Sequence, residues 1–150
     1  MAELIGADDL RPVVDAAREL DGADAVEVLV IHEWSGLTRF ADSAIHQSTA
    51  REDTGVRVRV VAGGRVGVVA TNDLSKDGAA SAARSALELA RMAAPDPMFP
   101  GLAPQAEVPE GPSRFDEETA SATPDRRAEG VAELIAKCTN GFHAAGALET

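Results

Sequence analysis

Only a handful of residues in this chain are of a type that could do chemistry, and their spacing decides what that chemistry would be. His32-Glu33 comes first. A His-Glu pair on a helix, followed one turn later by a second His, sets two imidazoles on a zinc ion and leaves the carboxylate beside the metal-bound water. Here Gly36 and Leu37 stand one turn on, and the pair follows a Val- and Ile-rich stretch that reads as a strand. No metal site is expected there. His46 and His143, the other histidines, lie far apart in the sequence and read as solvated or hydrogen-bonded side chains. Cys138 falls on the apolar face of a predicted helix and reads as a small core residue. Gly63, Gly64 and Gly67 lack the Lys-Ser/Thr of a phosphate loop and read as turn glycines. Arg39, Arg57, Arg59 and Arg65 form the wet face of a predicted sheet, with Glu33, Glu52 and Asp53 as their natural counter-ions. No Ser-His-Asp or paired-carboxylate spacing is present. The residues alone therefore nominate no catalytic group and no metal ligand.

The elements that would position these groups are clearer. Leu10, Val13, Val14, Ala17 and Leu20 recur at helical spacing after Asp8 or Asp9 as cap, with Pro12 in the first turn and Gly22 as the stop. Ala25 to Ile31 reads as a buried strand, a second extended stretch runs around Leu37 to Ala41, and Ile45 to Arg51 follows the Asp42-Ser43 turn. Val56, Val58 and Val60 alternate with Arg57 and Arg59, so one face is buried and one wet. Gly63-Gly64 supplies the two positive-φ residues of a type I′ hairpin, which places Val58 opposite Val69 and Val60 opposite Gly67. The missing side chain at Gly67 leaves room for a neighbouring element. Ser75 caps a helix to about Ala94 whose stripe of Ala79, Ala82, Ala83, Ala86, Leu87 and Ala90 requires a close approach to the sheet. Prolines then crowd positions 95 to 124 and predict an irregular excursion. Thr123 and Pro124 open a last helix with Val131, Leu134, Ile135 and Cys138 on one face, ended by Asn140-Gly141, and Phe142 to Thr150 looks like the opening of another strand.

The fold class is therefore α+β: a largely antiparallel sheet with a Gly-Gly hairpin, packed on an Ala-rich helix, with further N- and C-terminal helices. Residues 1–94 form the expected N-terminal α+β domain, 95–123 a Pro-rich irregular segment, and 124–150 a helix with the start of a further strand. The 150 residues carry a net charge of −11, which argues against nucleic acid, because phosphates are held by clustered Lys and Arg. One Cys excludes an intrachain disulfide framework and fits a reducing compartment. No signal peptide or apolar run long enough to span a bilayer is visible, so a cytoplasmic location is expected.

The order of several blocks carries more information than any one of them. Thr38-Arg39-Phe40-Ala41-Asp42-Ser43-Ala44-Ile45-His46-Gln47 is followed by Gly55 to Val60, Gly63 to Gly67 and Ala70 to Ser75. Ala86 to Arg91, Pro95-Asp96-Pro97, Phe99-Pro100-Gly101-Leu102 and Ala144 to Glu149 come after them. In this order the chain, from about residue 24 to residue 150, resembles the N-terminal domain of the TldD/PmbA (TldE) proteins. The Thr-Arg-Phe-Ala and Ile-His-Gln blocks and the Pro-rich tail look more like the PmbA/TldE branch.

That resemblance implies a cytoplasmic, protease-like protein of a family first named for modulating DNA gyrase, which pairs as a homodimer or as a TldD–TldE heterodimer. The TldD-type subunit carries zinc on a helical His-Glu-x-x-x-His motif and cleaves unfolded peptides, whereas the PmbA/TldE-type subunit lacks those ligands and helps to form the substrate channel. Leu37 stands where that motif needs its second His, so the family's zinc motif does not fall on His32-Glu33. The chain is expected to be an N-terminal piece that contributes dimerisation and the peptide channel, inactive alone, without a cofactor of its own. Zinc belongs to the full-length protein or its partner subunit. Arg39, His46 and Asn72 are the candidate channel or interface contacts. The alternative is a self-standing, non-enzymatic module that docks extended peptides on its sheet.

Overall fold

A computed structural model describes residues 5–104, 106–107, 111–112, 114–138 and 140–150. Among the described residues the element order is α1 (Ala7–Arg18), β1 (Ala25–Ala41), β2 (Ala44–Ala62), β3 (Arg65–Thr71), α2 (Lys76–Met92), α3 (Glu117–Ala120), α4 (Pro124–Lys137) and β4 (Gly146–Glu149). The strands form one sheet in the order β3-β2-β1-β4, and the β1–β4 and β2–β3 pairings are antiparallel. The architecture is α+β, as expected. No helix among the described residues is long and apolar enough to cross a membrane.

Two compact units divide the chain. The first is built on 5–32 and 53–107, and its core sits between the sheet and two helices. Val56, Val58 and Val60 are buried on one face of β2, while Ala79, Ala82, Ala83, Ala86, Leu87 and Ala90 are buried on α2 and Val13 and Ala17 on α1. Val26, Val28 and Val30 of β1 pack against this cluster. Glu27, Leu29 and Ile31, one residue out of phase, face away from it and are exposed, as the two-residue period of a strand dictates. The β2–β3 register matches the pattern: Val58 pairs with Val69 and Val60 with Gly67 across the Gly63-Gly64 turn, whose φ values are 59° and 69°. A Cβ added at Gly67 would fall on the Ala86 carbonyl and the Ala90 amide, so the bare backbone of β3 is what lets α2 lie this close.

The α2 N-terminus is closed by side chains. The Ser75 hydroxyl accepts from the Gly78 amide at 3.0 Å, and the Asp73 carboxylate accepts from the Ser75 amide at 2.9 Å. Hydrogen bonding from Ser75, side chain first and amide second, holds the Asp73 carboxyl below the usual carboxylate range. A folded-state pKa below the unfolded one gives stabilisation that is present above about pH 4 and lost as pH falls through the lowered folded value. An Asp73→Asn chain, which keeps the acceptor but not the charge, is therefore expected to lose less stability than the parent between pH 6 and pH 3 in parallel urea titrations.

The second unit is built on 33–52, α3, α4 and β4. Phe40 and Thr38 of β1 and Val131 and Arg127 of α4 are buried there. β4 pairs with β1 through Thr38↔Leu148 and Phe40↔Gly146, and the Phe40 ring fills the space that a side chain at position 146 would need.

Several local expectations change: Pro12 lies inside α1 and not in its first turn, and α4 ends at Lys137, before Asn140-Gly141. The two extended stretches before Asp42 are one strand, because β1 runs unbroken through Trp34-Ser35-Gly36, and β2 likewise runs through Glu52 to Gly55. Continuous pairing within the sheet outweighs the weak strand preference of Gly and Asp there. Gly6, not Asp8 or Asp9, is the α1 N-cap and makes no side-chain bond, and both acids sit in the first turn, where the helix dipole favours them. Cys138 is exposed as the C-cap of α4 and not a core residue, because that helix buries only Arg127 and Val131 and leaves Leu134 half exposed.

Candidate functional site

The strongest concentration of unusual chemistry lies in the second unit, around Arg127. Thr123 closes the α4 N-terminus by accepting from the Arg126 amide at 3.2 Å, and Pro124 sits in the first turn, where it forfeits no helix bond. This start puts Arg127 one turn before Val131, on the buried face. Its guanidinium lies flat on the backbone of Gly36, where any Cβ would collide with it. Only 1% of the residue is exposed. Nη1 donates to the Ala122 carbonyl at 2.9 Å and to the Thr150 hydroxyl at 3.0 Å. Nε and Nη2 are buried and have no acceptor among the described residues. A buried cation with two idle donor atoms is costly, since only the Nη1 hydrogen bonds replace its lost hydration.

Arg127 also lines a cavity of about 250 Å³ whose other polar walls include Asp116, Glu118, Arg126, Glu133 and Thr150. Arg126 is engaged at the rim, 3.8 Å from Glu118 and 3.7 Å from Glu129. Hydrogen bonding from Thr119 holds the Asp116 carboxyl below the usual range, its oxygen accepting the Thr119 amide at 2.7 Å. The result is a buried cation under an acidic, solvated rim.

The residues singled out in the sequence lie elsewhere. His32 and Glu33 are consecutive on β1, so they point to opposite faces, and His32 Nδ1 lies 2.6 Å from the Thr54 hydroxyl. His143 is exposed, with Nδ1 4.0 Å from an Asp42 carboxylate oxygen. Among the described residues, no group of three or more His, Cys, Asp or Glu is placed to hold a metal. Arg59 pairs with Glu27 at 3.5 Å rather than with Glu33, Glu52 or Asp53. Arg39 and His46 are exposed on neighbouring strands of the second unit, whereas Asn72 is exposed just after β3 in the first. Arg127 itself was not singled out, although a signal existed: a cation four residues before Val131 stands on the apolar stripe of α4.

Comparison with known proteins places residues 26–90 in the family model described as PmbA/TldA metallopeptidase domain 1. No curated protein matches the chain. Among solved structures, TldE from Thermococcus kodakarensis is similar at 17% identity and a TM-score of 0.66, over 84% of this chain and 27% of that one. A candidate modulator of DNA gyrase from Bacteroides thetaiotaomicron is similar at 17% identity and a TM-score of 0.72, over 97% of this chain and 34% of that one. A further candidate gyrase modulator, from Thermotoga maritima, is similar at 17% identity and a TM-score of 0.50, over 82% of this chain and 28% of that one. At this identity the structural likeness establishes the fold, and the chain spans only about a third or less of the length of these structures.

Proposed function

We propose, from the premise that residues 26–90 are a first domain of the PmbA/TldD metallopeptidase type, that this chain serves a larger peptide-handling protein by forming a subunit contact and part of the channel wall. The match over 26–90 carries the reading. Catalysis, in this reading, belongs to zinc-activated water held by residues outside these 150, in the same protein or in a partner subunit, with homodimers or TldD–TldE-type heterodimers as the assembly and unfolded peptides as the substrate. The block pattern around Arg39 and His46 favours the PmbA/TldE branch. Arg39, His46 and Asn72 are the proposed contacts, each exposed and polar on or beside a strand.

Self-association of the chain by sedimentation equilibrium, together with binding of a reduced, carboxymethylated polypeptide, tests this reading. The expected result is association and binding without cleavage. Tight one-to-one zinc or cleavage by the chain alone would overturn it. Arg39→Ala, His46→Ala and Asn72→Ala should each weaken association or binding while leaving the urea midpoint in place, and if all three leave both intact the assignment of these contacts is wrong.

The rival reading, a self-standing module that docks an extended peptide, draws on a specific feature. β3 is an edge strand, and Leu29, Ile31 and Val68 are exposed on their strands. It expects the isolated chain to bind peptide as a monomer.

A further inference from the structure

We propose that the β2 edge over residues 44–50 is where a second copy of this chain joins, by antiparallel strand pairing about a two-fold axis through Ser48. The proposal gives a place to the subunit contact of the reading above, and rests on that reading for the choice of a second copy as partner. Backbone geometry sets which edge is open. β3 pairs with β2 only over Val56–Ala62, so beyond Val56 no described strand lies on that side of β2. The two-residue Gly63-Gly64 loop makes Ala62 and Arg65 a hydrogen-bonded pair, and alternation makes Val60, Val58 and Val56 the next ones. Even-numbered residues of β2 therefore turn N–H and C=O toward that side. This parity holds along the strand, because Glu27 with Arg59, His32 with Thr54 and Thr38 with Ser48 meet across β1 and β2 in one register without a bulge. His46, Ser48 and Ala50 thus present a row of backbone donors and acceptors that no described strand takes up.

Access, composition and charge single out a second copy as the occupant. Every residue over 44–53 is exposed, on both faces of the strand, so among the described residues no helix layer bars the approach of another sheet edge. The β3 edge differs, because α2 lies over it with backbone against Gly67. Residues 44–50 include no Asp, Glu, Lys, Arg or Pro, the residues with which proteins keep sheet edges from pairing. Two copies of a chain with net charge −11 repel each other, and this strip lets them touch without bringing like charges together. An axis through Ser48 places Ser48 opposite itself and His46 opposite Ala50 of the second copy, for about six backbone hydrogen bonds. Moved to Gln47, the axis would set Asp42 against Glu52 of the second copy. Moved to Thr49, it would draw Glu52, already engaged within its own chain, into the ladder. The Ser48 axis avoids both.

Disulfide trapping in a Cys138→Ser chain reads the axis directly. Facing residues of a hydrogen-bonded antiparallel pair have Cα atoms about 5.5 Å apart, inside the roughly 4.4–6.8 Å that a disulfide spans. Ser48→Cys should therefore give a covalent dimer in oxidised glutathione. Ala50→Cys should not, because its two copies would lie about 14 Å apart along the strands. Ser48→Pro removes an N–H that no described strand uses, and the symmetry doubles the loss. Sedimentation equilibrium should show association weakened at least about tenfold, with the urea midpoint unchanged. Ser48→Lys keeps the backbone and sets two like charges face to face, so it should weaken association as well. Association that both variants leave intact, or cross-linking at Ala50→Cys instead of Ser48→Cys, would overturn this contact and leave the subunit reading in place. A parent chain that stays monomeric would overturn both. Cross-linking at Ser48→Cys in a chain that binds no carboxymethylated polypeptide would support the contact and sink the peptide-handling reading.

Discussion

Gly67→Ala is expected to cost about 3 kcal/mol of folding stability, far more than one methyl usually does. The added Cβ would meet the carbonyl of Ala86 and the amide of Ala90, both backbone atoms of α2, so no side chain can turn aside to admit it. The helix itself must lift from β3. Lifting it opens the contacts of Ala82, Ala83, Ala86 and Ala90, which reach the sheet only because they are short. Close packing then fails over the whole interface rather than at one point. Gly64→Ala is the matched control: its φ is 69°, and a Cβ there meets nothing within 4 Å, so only the backbone penalty of about 1 kcal/mol remains. Urea unfolding of the two variants beside the parent separates the effects. Equal losses would mean that α2 does not lean on the bare backbone of β3.

The same contrast explains what could be read from the sequence. The hairpin and the α2 stripe were legible because each is decided within a few residues, by Gly63-Gly64, by Val alternation and by alanines at a 3.6-residue period. The start of α4 was legible for the same reason, since Thr123-Pro124 is a local signal, whereas its end at Lys137 falls before the Asn140-Gly141 stop that the sequence predicts. The continuity of β1 through Trp34 to Gly36 was not, because Ser35-Gly36 reads locally as a break that Trp34 alone does not offset. The signal lies in its pairing partners, which include a segment more than a hundred residues away, where Gly36 and Thr150 exchange backbone hydrogen bonds at 2.9 Å. Gly36 itself reads locally as a break, yet in the structure its bare backbone is the floor for the Arg127 guanidinium. Helical spacing predicts a buried Cys138, whereas full burial on α4 stops after Val131 and the helix ends at Lys137. The family blocks span about residues 24 to 150, of which the family model matches 26–90, and they direct attention to exposed residues such as Arg39 and His46. Among the described residues, Arg127, the largest fully buried side chain, lies outside every one of these blocks, visible only as an arginine on an apolar stripe.

That arginine yields the second large effect, and its sign is opposite to the first. Arg127→Met is expected to raise stability by about 1–2 kcal/mol. Methionine follows the same path over Gly36 and removes a charge whose burial costs several kcal/mol, against the loss of two hydrogen bonds worth about 1 kcal/mol each. Arg127→Ala should go the other way, losing about 2 kcal/mol or more, because it leaves a void above Gly36 and beside Thr150. The expected order in urea is therefore Met above Arg above Ala. If the methionine chain is instead less stable than the parent, the two hydrogen bonds and the packing of the guanidinium outweigh the cost of its buried charge and idle donors.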